Sequence, residues 1–183
     1  ADSWINEGFA QLAEDMVGYG YLNGTDTDLS AYFNDPGNTS LLYWGQTGAD
    51  YDVSYLFARY IYDRFGEGVI EYVHTSDENY HKAISDYTGI SFRQLYEDWS
   101  LALILDSVPG VTEQKYKFPT IDISGPNNYV LQPSQGWENE TVRGWSSIYT
   151  LIKDGDGSDL NINVDNAAVG GEMYMRVYRG VMQ

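Results

Sequence analysis

The chain has 183 residues, 43% of them hydrophobic and 20% charged, a balance that describes a folded protein with a sizeable core rather than a disordered one. Asp and Glu number 27 against 10 Lys and Arg, giving a net charge of -17; a surface this acidic repels phosphate backbones and anionic lipid, which argues against nucleic-acid and membrane-surface partners. The absence of cysteine excludes a disulfide framework and thiolate chemistry, and no apolar run reaches the ~18 residues needed to span a bilayer.

The first predicted element is an amphipathic helix. Trp4, Ile5, Phe9, Leu12, Ala13 and Met16 recur at the spacing of one buried stripe, with Asp2 or Ser3 as its N-cap. Glu7 and Glu14 are about two turns apart at ~3.6 residues per turn, so they share a face. Two exposed carboxylates on one face repel, and a cation or a histidine held between them removes the repulsion. Gly18-Tyr19-Gly20 closes this helix, and Asn23 to Asp26 reads as a turn.

A short helix over Asp28 to Phe33 follows, stopped by Asp35-Pro36-Gly37, then an apolar cluster from Leu41 to Trp44. A long helix is predicted from Ala49 to Arg64, because Tyr51, Tyr55, Ala58, Tyr62 and Phe65 repeat at i+3/i+4 spacing and Gly66 closes it. Two shorter helical patterns cover Glu67 to Val73 and Tyr80 to Tyr87. Ser91 then caps a helix that runs through Leu105 to Asp106-Ser107, whose stripe is Phe92, Leu95, Trp99 and Leu103. Pro109-Gly110 marks a boundary, dividing a helical part (residues 1–108) from a β-rich one (residues 109–183). In the latter, Phe118 to Ile123, Tyr129 to Leu131, Val142 to Lys153, Leu160 to Val164 and Met173 to Tyr178 read as strands, and no helix is evident after Asp106. Asp154 to Ser158 is a hairpin-loop signal. The expected class is α+β: a helical subdomain followed by a small antiparallel β module.

The opening segment Trp4-Ile5-Asn6-Glu7-Gly8-Phe9-Ala10 resembles the W-[LI]-N-E-G-[FL]-A stretch of gluzincin zinc metallopeptidases, a group that includes aminopeptidase N-type enzymes and the secreted bacterial hyicolysin-type endopeptidases. The hyicolysin-like type is the nearer. The resemblance implies that Glu7 is the third protein ligand of a catalytic zinc, the other two being histidines of an upstream H-E-x-x-H helix whose glutamate is the general base. It implies zinc-assisted hydrolysis of a protein or peptide substrate. Glu14 is then a residue that orients a zinc-bound histidine. A tyrosine that opens a helix ending at a glycine about fifteen positions later is the family's oxyanion donor. Tyr51 and Gly66 have that separation, with Tyr55 as its rival one turn on; both tyrosines also have a plain packing role open to them.

No H-E-x-x-H is present, and the two histidines, His74 and His81, lie far downstream of Glu7. On this reading the sequence is the C-terminal part of a secreted bacterial enzyme, missing the metal-binding helix that precedes Glu7 and inactive alone. The alternatives are a non-catalytic helical and β interaction module and a degenerate relative that has lost its histidines. His74 and His81 share a helix face only if Asp77-Glu78-Asn79 leaves the helix unbroken, and surface positions are the simpler expectation. Asp154, Asp156, Ser158 and Asp159 offer oxygen ligands for calcium, but without the glycine and glutamate positions of an EF-hand loop, so an acidic hairpin tip accounts for them better. Trp137, Trp145 and Tyr149 are candidates to stack on sugars or, more simply, core aromatics. Asn139-Glu140-Thr141 is an N-x-T site with meaning only in a eukaryotic secretory host.

Overall fold

The computed structural model describes residues 3–20, 29–123, 125–126, 129–131, 142–152 and 173–177. Six helices come first: α1 (Ser3–Met16), α2 (Ser30–Phe33), α3 (Gly48–Phe65), α4 (Glu67–Thr75), α5 (Tyr80–Thr88) and α6 (Phe92–Leu105). A 3-10 turn at Gln114–Tyr116 and two short strands, β1 (Tyr129–Leu131) and β2 (Thr150–Ile152), follow. No helix among the described residues is long and apolar enough to cross a membrane.

The long helix α3 is the axis of the fold. Thr47 caps it with a capping box: its hydroxyl accepts from the Asp50 amide, and the Asp50 carboxylate accepts from the Thr47 amide at 2.8 Å. Both groups use otherwise orphaned atoms of the first turn. At the other end Gly66, with φ 76°, turns the chain directly into α4. Its central place shows in its burial, since the whole run from Asp52 to Ile61 is buried.

Helix α1 lies across α3 at Gly8. A β-carbon there would stand 2.5 Å from the Ser54 carbonyl oxygen and 3.3 Å from the Ala58 methyl. The glycine is therefore the condition for the close approach of two backbones. Around this crossing the aromatic core assembles. Trp4 meets Phe57 and Phe92 at 5.9 and 6.0 Å, and Trp99 meets Phe57 edge-on at 5.6 Å, geometries that favour aromatic pairs beyond their buried area. The expected stripe of α6, Phe92, Leu95, Trp99 and Leu103, is buried.

At the end of α1 the predicted stripe is corrected. Met16 is 49% exposed and Ala13 faces solvent. The inward position after Leu12 is taken instead by Asp15, a carboxylate with partners on α3.

The chain past Pro109 departs further from expectation. Phe118 to Ile123 is not a strand: the Phe118 amide donates to Asp106 Oδ1 at 2.7 Å, so it is spent on the end of α6 and not on a ladder. Phe118 and Ile123 are buried in the helical core instead. Of the predicted strand from Val142 to Lys153 residues 142–152 are described; a turn at Gly144-Trp145 interrupts them, and among them only Thr150–Ile152 pairs. Its partner is Tyr129–Leu131, and the pairing is parallel, the arrangement that a long crossover between the strands permits. An antiparallel module is not what these residues form. Met173 to Val177 forms no strand among the described residues. A 3-10 turn also stands where no helical turn was expected. Leu160 to Val164 and the Asp154 to Ser158 loop lie outside the described residues.

Candidate functional site

The site is built on the outer edge of α1. Its inner face, Trp4, Ile5, Gly8, Phe9, Gln11 and Leu12, is buried, while Asn6, Ala10 and Ala13 are exposed. Glu7 and Glu14 are both half-buried at the border between these faces, as the two-turn spacing requires. Among the described residues neither takes part in an ion pair. Glu14 also lines a shallow hollow with Ala13, Val17 and Tyr19.

A half-exposed carboxylate with no cationic partner suits a divalent cation as one oxygen ligand. The described residues hold no group of three or more His, Cys, Asp or Glu side chains able to enclose a metal. Glu7 thus fits as one member of a set whose other members it does not find among them.

The two tyrosine candidates fare differently. Tyr51 is half-buried in the first turns of α3, its ring meeting Trp44 edge-on at 4.8 Å. Tyr55 is 0% exposed, and its hydroxyl donates to Asp15 Oδ2 at 2.7 Å. One turn along the helix, therefore, separates a tyrosine at the margin of the core from one enclosed in it.

Sequence reasoning missed the group to which Tyr55 belongs. Arg59 NH1 donates to Asp15 Oδ2 at 3.0 Å, and Arg59 Nε donates to Thr120 Oγ1 at 2.6 Å. Thr120 Oγ1 in turn donates to Asp63 Oδ2 at 2.6 Å, while Asp63 Oδ1 stands 3.2 Å from Arg59 Nε. Burial raises the Asp63 carboxyl above its usual range, and the Thr120 hydrogen bond and Arg59 charge pull it partly back. The signal was present: Tyr55, Arg59 and Asp63 repeat at i+4, which puts them on one side of the helix.

A second network joins α3, α6 and the turn beyond. Asp98 accepts from Gln94 at 3.0 Å and stands 3.5 and 3.7 Å from Lys115 and Arg64. Tyr60 accepts from Arg64 at 2.6 Å and donates to the Lys115 carbonyl at 2.8 Å; burial pushes its phenol well above the usual range. Asp52, also buried, accepts from the Tyr32 amide at 3.0 Å.

The histidines stand on different helices, His74 at the end of α4 and His81 in α5, with the break at Ser76 to Asn79 between them. Both are exposed. His74 Nδ1 is 3.0 Å from the Ile70 carbonyl, its ring packs on Phe9, and His81 packs on Phe92. Neither is brought to Glu7 as part of a metal-binding group.

Tyr149 is buried in the core, where desolvation drives its phenol far above the usual range. Trp145 has its ring against Phe92 and Tyr96, at 5.2 and 5.4 Å. Both therefore have packing roles. Trp137, the Asn139 to Thr141 site and the calcium candidates Asp154, Asp156, Ser158 and Asp159 lie outside the described residues. No protein-family model matches the chain, and neither does any curated protein.

Proposed function

We propose that the chain is the helical C-terminal part of a secreted zinc metallopeptidase catalytic domain of the gluzincin kind, followed by a β-rich segment. Glu7 supplies one carboxylate ligand, and the histidine ligands and the general base come from outside these 183 residues. The single observation that supports this reading is the state of Glu7: a half-exposed carboxylate without an ionic partner among the described residues, at the edge of the open face of a helix whose other face is firmly packed. Zinc, when bound, supplies Lewis acidity toward water and the substrate carbonyl. Glu14, two turns along the same edge, is placed in this reading to accept a hydrogen bond from a ligating imidazole and fix its orientation. Tyr51 is the proposed hydrogen-bond donor to the developing oxyanion; Tyr55, with its hydroxyl given to Asp15, is the weaker candidate.

The test is Glu7→Ala in the full-length protein, with zinc content and peptide hydrolysis measured together. Loss of both, with the helical circular dichroism unchanged, is expected. Retained zinc and retained hydrolysis overturn the assignment. The second reading, a non-catalytic helical module, draws on the fact that the motif residues Trp4, Ile5, Gly8 and Phe9 all serve the core. It predicts a full-length protein that holds no zinc before the substitution.

A further inference from the structure

We propose that the segment carrying Thr120 docks on α3 as a proton-coupled clasp: Asp63 takes up a proton as the segment closes over it, so acid tightens this fastening and a rise in pH loosens it. Nothing in the clasp depends on Glu7 or on a bound metal. Its ground is a shortage of positive charge. Asp15 from α1 and Asp63 from α3 share one cation, Arg59, whose NH1 stands 3.0 Å from Asp15 Oδ2 and whose Nε stands 3.2 Å from Asp63 Oδ1. The Asp63 side chain is only 1% exposed, so water does little to make up the difference.

Asp15 is well provided for, since its Oδ2 accepts from both the Tyr55 hydroxyl and Arg59. Asp63 is not. The Arg59 Nε hydrogen is spent on Thr120 Oγ1 at 2.6 Å, and the Thr120 hydroxyl gives its own hydrogen to Asp63 Oδ2 at 2.6 Å. Asp63 Oδ1 is left buried with no hydrogen-bond donor among the described residues, and this is the atom that receives the proton. The segment past Pro109 closes the corner: Phe118 packs on Tyr60 of α3 at 5.8 Å, Ile123 is buried, and Thr120 lies between them on Arg59 and Asp63. Closing it strips water from an anion and gives back one hydrogen bond. Desolvation is the larger effect and lifts the Asp63 carboxyl above its usual range; Thr120 and Arg59 pull it down, and Asp15 pushes it up. A carboxyl raised by docking holds its proton more tightly docked than undocked. The contribution to docking is therefore present below the ordinary Asp range and is lost as the pH rises through the raised value.

The experiment follows the Asp63 carboxyl by carbon-13 NMR as the full chain is titrated. Its midpoint is expected above the ordinary Asp range in the parent, and a midpoint within or below that range overturns the proposal. Phe118→Ala takes away the aromatic that seats the segment on Tyr60 and is expected to bring the Asp63 midpoint down. Ile121→Ala, at a half-buried position of the same segment, acts more mildly and serves where the Phe118 variant does not fold. Asp122→Asn removes an exposed charge from the segment and is expected to leave the midpoint in place. A midpoint that ignores both segment variants, or that moves as far in Asp122→Asn, overturns the proposal. The second readout is the urea midpoint of the parent against Asp63→Asn. As the pH falls the parent is expected to gain on the variant, by about tenfold in its folding constant for each unit of the upward shift; the absence of any gain overturns the proposal as well.

Discussion

Over the described residues from Ser3 to Leu105 the chain is held by the buried faces of its helices, with residues three or four apart turned inward on α1, α4 and α6. Past Pro109 it is held by separate fastenings. Phe118, Ile123 and Tyr149 enter the core singly. The Phe118 amide goes to Asp106, Thr120 to Arg59 and Asp63, Arg176 to Glu97, and the Tyr174 hydroxyl accepts from Arg93. The difference teaches where specification resides. A stripe is written in neighbouring residues and tolerates the loss of any one polar group. A fastening depends on a partner 12 to 81 residues away, and its strength depends on whether that partner is buried.

The sharpest way to break this comparison is at the α1–α3 crossing. Gly8→Ala drives a methyl into the Ser54 carbonyl, a backbone atom that cannot swing aside. Overpacking of this kind costs about 1–3 kcal/mol or more, read as a fall in the urea midpoint. Gly68→Ala is its control: the new methyl meets the Tyr87 hydroxyl, the far end of a mobile side chain. The gain in helix propensity from Gly to Ala, up to ~1 kcal/mol, then leaves stability nearly unchanged. Equal losses at the two sites would mean that the crossing is not specially tight.

Removing the cap of α3 comes next. Thr47→Ala loses the hydroxyl that accepts from Asp50 and donates to its carboxylate at 2.7 Å, for about 1 kcal/mol. The smallest effect is expected at a solvent-facing fastening. Arg176 pairs with the buried Glu97 from a side chain about half exposed; water screens the pair and Glu97 keeps Arg93 at 3.7 Å, so Arg176→Ala lowers stability by less than about 1 kcal/mol. A loss larger than that of Thr47→Ala would show that the fastenings of the tail carry more of the stability than burial suggests.

How much of this was legible in the sequence follows the same division. The helix predicted over Ala49 to Arg64 and its stop at Gly66, the α6 stripe and the break that puts His74 and His81 on different helices were all visible, since each is a local pattern. So was the shared face of Glu7 and Glu14. The role of Asp15 was not, because a carboxylate at an inward position reads as a break in the stripe until Tyr55 and Arg59 are seen beside it. The strand predicted from Phe118 failed for a related reason: alternation reports which side chains face inward, not what the backbone bonds to, and there the backbone bonds to Asp106. Tyr55 and Tyr51 were indistinguishable by spacing because only the placement of α1 encloses one and not the other.

The contacts of Trp145 have a consequence for the order in which the molecule forms. The Leu41 amide donates to the Trp145 carbonyl at 2.9 Å, and the Gly37 carbonyl accepts from the Arg143 amide at 3.0 Å and from the Ser146 hydroxyl at 2.6 Å. Trp145 makes its bond from a left-handed backbone, φ 57°, a conformation that costs a tryptophan about 1–2 kcal/mol. This seam joins segments separated by the whole of α3 to α6, so its two sides meet only after the entropy of a very large loop has been given up. Helices can condense early from contacts close in sequence, while the seam waits on them. The closure entropy of that loop thus bears on the seating of the Trp145 indole against Phe92 and Tyr96, and not on the contacts between neighbouring helices.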